Sequence, residues 1–525
     1  MRTINVSDFR RLYEREIEFA VIDPREELLY SRAHLFGATN MPLSRLELLI
    51  EAAIPQRSTM IVLCDDGEGH SERAAGVLSQ LGYQDLHVLD GGLPAWALSG
   101  GAVFAGMNVP SKAFGEVVER DLQTPTISVT ELRKKMEAHE DFLLLDARPE
   151  SEHFDYCIPG SVSCPSTEMI YRVPELNVDK DKLVVVHCAG RTRSIVGAQT
   201  LIDSGLFNNV VSLHNGTPAW QFEGFATEDG NRNALPAPAN RSAEAANRSA
   251  RNIRETWAIP SLSPQELDSW RRQDGTRYVF DVRTQAEFAR GHIPGARHVP
   301  GGQLLQTTDR HIAVQNSHIA LVDSDGVRAV TAAMWLSRMG WEKVVTCTIP
   351  SESLGLAIGL ELAHEPSPLV KISIEKAATQ LASETAIVCD VRSSVAYRRG
   401  HVAGAGYLSR AEPERDFPRI PASREILLMA DDVAYASLVG RDLIAFGRAV
   451  RLIDGDLAAW TAAGHPTAQG AEWLISRPID TYFEGDHFEE PQIRDRENRA
   501  YLNWEIALID HIVGDPAVRY AIHKS

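Results

Sequence analysis

One stretch of the chain combines residue types that can do chemistry: His187-Cys188-Ala189-Gly190-Arg191-Thr192-Arg193-Ser194. It follows the apolar run Leu183–Val186, so a strand is expected to end at His187 and a helix to begin near Ser194. In such a strand–turn–helix the backbone amides of Ala189 to Ser194 converge on the sulfur as an anion nest. The helix dipole and two guanidiniums, at +3 and +5 from the cysteine, stabilise a thiolate and an anion beside it. A cysteine so placed is a nucleophile. Arg148 and His187 are candidates for residues that stand behind the loop. A buried core does not place arginines at those two positions, so a purely structural cysteine is the weaker reading.

The elements that position this loop recur. Four apolar runs end in Asp-x-Arg: Asp23/Arg25, Asp146/Arg148, Asp281/Arg283 and Asp390/Arg392. Eleven residues after each Asp come His34, Cys157, His292 and His401, and three further on Gly37, Gly160, Gly295 and Gly404. The loop position is Asp65, Cys188, Asp323 and Ala430, each followed 17 residues later by a glycine: Gly82, Gly205, Gly340 and Gly447. A Gly-rich turn before Trp96, Trp220 and Trp460 closes three copies, and the third copy has lost it in the run from Val345 to Ser353. Ser7, Thr130, Ser263 and Ser373 are expected to cap the opening helices, Ser263 with Glu266 as a capping box. Short Val/Ile/Leu runs alternating with helical stretches predict an α/β chain of four modules, each a mostly parallel sheet flanked by helices.

The expected boundaries are 1–106, 126–227, 256–365 and 366–470 for the modules, 228–255 for a linker rich in Ala, Asn, Arg and Pro, and 471–525 for a partly helical tail without a site of its own. The length of 525 residues fits that count. With 53 Lys and Arg against 71 Asp and Glu, a net charge of −18 argues against nucleic acid and anionic membranes as partners. No apolar run is long enough to span a membrane. Six cysteines without a CxxC pair exclude a disulfide scaffold and a structural zinc site. A reducing, cytoplasmic setting is expected. No metal ligand set or nucleotide loop is present, so no cofactor is expected, and nothing sets an oligomeric state.

With these motifs in hand, the chain resembles the rhodanese (sulfurtransferase) family in a four-module arrangement. The matching residues are the Asp-x-Arg pairs, Gly291 to Ala296, the loop from Cys188 to Ser194, and Gly91-Gly92 with Trp96. The resemblance implies that Cys188 takes a sulfane sulfur from thiosulfate or a similar small anionic donor as a persulfide. It would pass the sulfur to cyanide, a thiol or a protein acceptor. The amides of Ala189 to Ser194 would cradle the persulfide, while Arg191 and Arg193 would bind the donor's oxyanion end.

The other three copies depart from the pattern. Asp65 and Asp323 hold the nucleophile position in copies one and three, and copy four has Ala430 followed by two aspartates. Aspartate cannot carry a sulfane sulfur, so one active module and three degenerate ones are expected. Cys64 is expected within the strand, Cys347 and Cys389 in cores, and the Asp-x-Arg pairs as structural. Cys157 and Cys164 read as small buried side chains, with a resolving thiol as the sharper alternative. Competing functions are a non-catalytic sulfur- or anion-sensing scaffold and a cysteine phosphatase or arsenate reductase. The latter need Cys-x5-Arg, whereas the arginine here stands at +5 and Ser194 at +6.

Overall fold

The computed structural model describes residues 2–350, 353–355, 367–483, 488 and 490–523, excepting the side chains of residues 240 and 241. Four sheets share one strand order. In copy two the parallel order is Thr126–Ile127, Val210–Leu213, Leu183–His187, Phe142–Asp146, Val162–Ser163. Copies three and four repeat it with five strands each, the latter around Ala386–Asp390 and Glu425–Met429. The central strands are buried on both faces, which is why they read as unbroken apolar runs. Copy one forms the same order, and its strand Phe19–Asp23 gains an antiparallel neighbour, Val314–Gln315, from copy three.

The Asp-x-Arg pairs are the same device four times. Each Asp ends a strand with its carboxylate buried, and each Arg closes on it: Nη2 to Oδ2 is 2.5, 2.7, 2.6 and 2.6 Å in the four copies. The same Nη2 donates to a carbonyl eight residues on, from Ala33, Tyr156, Gly291 and Gly400. The pair therefore pins the loop after the strand to the strand's end. The glycines at +17 stop the following helices: Gly82, Gly205, Gly340 and Gly447 all lie at positive φ, between 65° and 94°.

Several expectations need correction. Asn5 and Ser128, not Ser7 and Thr130, cap the first two opening helices, because each cap sits two residues earlier and accepts from the third amide of the helix. Ser263 and Ser373 cap as expected, Ser263 with its box to Glu266. The segment expected as a linker contains an 18-residue helix, Asn240–Trp257, whose Ala246, Ala250 and Ile253 are buried. Small residues at helical spacing gave it an apolar face that its composition concealed. Cys64 follows the strand Met60–Leu63 rather than lying in it, and is buried. Two residues of the lost turn in copy three and the boundary at 365/366 lie outside the described residues.

Two helices outside the four copies matter for the site. The bridging helix Val109–Leu122 buries Phe114, Val117 and Val118 between modules, with Phe114 against Trp335 of copy three. The C-terminal helix Pro491–His511 packs on it. Copies two and three are joined by buried ion pairs, Arg328–Glu168 at 3.1 Å and Arg338–Asp203 at 2.6 Å, and copies one and four by Arg410–Glu47 at 2.7 Å.

Removing one partner of a buried pair strands the other. Arg283→Ala, which leaves the Asp281 carboxylate fully buried, is expected to cost about 3–5 kcal/mol in urea unfolding of the full chain. A loss below about 1 kcal/mol contradicts the pinning role.

Candidate active site

Strand Leu183–His187 ends where Cys188 begins the turn, and helix Thr192–Ser204 starts with Arg191 as its cap residue. Cys188 is 2% exposed. The Gly190 amide donates to its Sγ at 3.4 Å, and Ser194 Oγ lies 3.6 Å from the sulfur. Ser194 in turn donates to the Arg191 carbonyl at 2.8 Å, tying the two ends of the loop together. The turn at Asn215-Gly216 closes from the other side: the Thr217 amide donates to the Cys188 carbonyl at 2.9 Å. Gly216, at φ 53°, is required there, since a Cβ would stand 2.3 Å from that same oxygen.

The equivalent turns of the other copies hold side-chain oxygens. In copy one the Asp65 carboxylate accepts from the amides of Gly67 at 2.8 Å and Ser71 at 2.7 Å. In copy three the Asp323 carboxylate accepts from Gly326 and Ala329, both at 3.0 Å. Ser71 and Ala329 are six residues past the loop position, as Ser194 is past Cys188. Two copies thus fill the nest with their own carboxylate. Burial and neighbouring Asp325 raise the Asp323 carboxyl to about 7. In copy four Asp432 instead caps the following helix. Asp65, Asp66 and His70 lie within 4.8 Å of one another. Asp65 is engaged by the two loop amides and Asp66 by Arg25, a binding mode for charge already satisfied by protein.

Both arginines of the loop are matched by acids. Arg191 is bidentate to Glu116 of the bridging helix at 2.6 and 2.8 Å, and also pairs with Glu119. Arg193 is bidentate to Glu152 at 2.7 and 2.9 Å. The resemblance assigned both guanidiniums to the donor's oxyanion end; in the structure each is paired to acids, because side chains from two helices converge on the loop. Arg148 is fully buried on Asp146. Its role is the strand-end pin.

Copy two also differs beneath the loop. In the other copies His34, His292 and His401 stack on Tyr30, Phe288 and Tyr397, with centroids 3.7–4.0 Å apart. Here that aromatic is replaced by His153, whose Nδ1 lies 3.0 Å from Asp146 Oδ2, and the histidine by Cys157. Cys157 Sγ contacts Glu228 and Asn231, while Cys164 is fully buried. His187 is buried with neither ring nitrogen hydrogen-bonded among the described residues, its Nε2 3.9 Å from Asp146. Burial lowers it to about 4 against the pull of Asp146.

A cavity of about 290 Å³ opens above Cys188. Its far walls come from residues that sequence reasoning did not assign: Lys112 of the bridging helix, Gln306 of copy three, and Asn498, Tyr501 and Glu505 of the C-terminal helix. The last three share one helix face, at i, i+3 and i+7. Thr192 Oγ1 donates to Glu505 Oε1 at 2.7 Å. The only available signal was a glutamate set among the apolar positions of a helical pattern.

The rhodanese-like domain family matches residues 6–99, 128–223 and 263–347, together more than half of the chain. The chain belongs to the rhodanese family. As a rhodanese it is a sulfurtransferase, and its fourth sheet repeats the order of the three matched copies. This rhodanese is similar over 100% of both chains to a crystal structure of a thiosulfate sulfurtransferase from Pseudomonas aeruginosa, at 36% identity and TM-score 0.93. It is 30% identical over 152 residues to a putative sulfur carrier protein from Bacillus subtilis, 26% of this chain and 78% of the relative. It is 29% identical over 175 residues to a thiosulfate sulfurtransferase from Azotobacter vinelandii, 29% of this chain and 64% of the relative. Among the described residues no helix is long and apolar enough to cross a membrane.

The lowered His187 has a sign. Its folded value of about 4 lies below the ordinary 6.5, so the unfolded chain takes the proton first. Stability from this residue is complete above about pH 6.5 and is lost as pH falls toward 4. His187→Gln is therefore expected to lose less unfolding free energy than wild type between pH 7 and 4.5, measured by urea titration at both pH values. Equal losses contradict a neutral buried imidazole.

Proposed function

We propose that copy two is the catalytic module and that copies one, three and four are degenerate, with Cys188 carrying the sulfur as a persulfide. The carboxyl groups of Asp65 and Asp323 in the equivalent nests support this reading: the same turn donates amides to an oxygen where it would donate them to the sulfur of Cys188. The donor is thiosulfate or a similar small anion. The Cys188 thiolate attacks its outer sulfur, an Sγ–S bond forms, the donor's S–S bond breaks, and sulfite leaves with the electron pair. The terminal sulfur keeps its negative charge among the amides of Ala189 to Ser194. Cyanide, a thiol or a protein acceptor then attacks that sulfur, and the Sγ thiolate is the leaving group.

With both loop arginines paired to acids, the donor's oxyanion end is read by Lys112, which binds Tyr501 and no carboxylate among the described residues. The shape of the loop, with arginine at +5, suits one sulfur atom better than a phosphoryl group. We place this chemistry in the cytoplasm, which the six free cysteines support.

Incubation of the reduced protein with thiosulfate, followed by intact mass measurement, is expected to show one added sulfur in wild type and none in Cys188→Ser. Uptake by the serine variant, or no uptake by wild type from thiosulfate or 3-mercaptopyruvate, sinks the reading. Lys112→Met is expected to raise KM for thiosulfate about tenfold with kcat within about threefold. An unchanged KM removes Lys112 from donor binding.

A further inference from the structure

The cavity above Cys188 carries a charge that the transfer just described does not use. Glu505 is 0% exposed, and only its Oε1 is engaged, by Thr192. The residue lines the same cavity, and its Oε2 has no hydrogen-bond partner among the described residues and lies 3.5 Å from where a Cβ on Gly190 would stand. A buried carboxylate oxygen in that state is expensive unless something donates to it. The two loop arginines are already matched. Arg191 is held by Glu116 and Glu119, and Arg193 by Glu152. Lys112 is turned onto the hydroxyl and ring of Tyr501.

The rest of the wall has the same polarity. Asn108 and Gln306 also line the cavity, and among the described residues their Oδ1 and Oε1 are further buried acceptors without partners, against one such donor of the lining, Asn498 Nδ2. Three acceptors, one of them a carboxylate oxygen, ask for a ligand rich in N–H groups. A dianionic donor does not supply them, and neither does cyanide.

We propose that the sulfur acceptor is a small thiol carrying an ammonium group, which Glu505 Oε2 binds beside the Cys188 loop. The proposal rests on the persulfide reading above. The ammonium on Glu505 brings the thiol over the terminal sulfur. The acceptor sulfur attacks it, an S–S bond forms, the Sγ–S bond breaks, and its electron pair returns to Sγ. The proton lost by the acceptor thiol ends on Cys188, so acceptor persulfide and free enzyme thiol result with no oxidant or reductant consumed.

The test uses the full chain, loaded with thiosulfate and checked by intact mass. Sulfur transfer to cysteamine, 2-mercaptoethanol and thioglycolate is followed as kcat/KM for wild type and Glu505→Gln. Glutamine keeps an oxygen for Thr192, so the loop contact survives while the charge is lost. Wild type is expected to rank cysteamine first and thioglycolate last. The cysteamine to 2-mercaptoethanol ratio is expected to fall about tenfold or more in Glu505→Gln. Comparing ratios between the two proteins cancels the intrinsic reactivities of the thiols. Normal loading with a ratio unchanged within about twofold, or with no preference for cysteamine in wild type, overturns the ammonium site and leaves the persulfide reading intact. Absence of sulfur loading overturns the persulfide reading itself, and the acceptor proposal with it.

Discussion

A handful of backbone amides aimed at one point can satisfy one negative atom. That constraint organises each module. The strand must end, the helix must begin, and the turn between them must stay small enough for N–H groups from both sides to converge. The buried Asp–Arg pair beneath holds the neighbouring loop to the sheet, and the turn at Gly216 holds the nest from above. The identity of the residue at the focus then decides the outcome. Aspartate satisfies the amides permanently, alanine leaves the turn to an ordinary helix cap, and cysteine leaves the position chemically open.

The surroundings of that focus are built by the whole chain. Acids from the bridging helix reach Arg191, copy three contributes Gln306, and the tail contributes Tyr501 and Glu505. The other copies are therefore not spare material around a self-contained module. Copy three shares an interface with copy two through Arg328 and Arg338 and lends a strand to copy one. The residue at the turn differs among copies while these surfaces persist, because packing uses other residues of the module.

Much of this was legible in the residues themselves. Asp-x-Arg and the glycines at fixed spacing reported the repeated parallel modules, since buried parallel strands and positive-φ positions admit few residue types. The Cys188 loop was legible because its chemistry is local. What escaped is what depends on distance along the chain. The sequence shows Arg191 and Arg193 as cations beside a thiol, but Glu116 and Glu152, which neutralise them, belong to other elements. The helix Asn240–Trp257 read as a linker because alanine and arginine mark both flexible and helical segments. Ser7 and Thr130 misled by two positions, as Asn5 and Ser128 are equally good caps nearby.

The contact between Thr192 and Glu505 joins residues 313 positions apart. A ribosome makes chains from the N-terminus, so the nucleophile emerges long before the helix that walls its cavity. During synthesis the Cys188 turn exists as an open cleft beside an unfinished neighbour. It becomes a bounded chamber only once the helix Pro491–His511 has formed and docked. Closure of the pocket around Cys188 is thus a report that the chain as far as Glu505 has been made and folded.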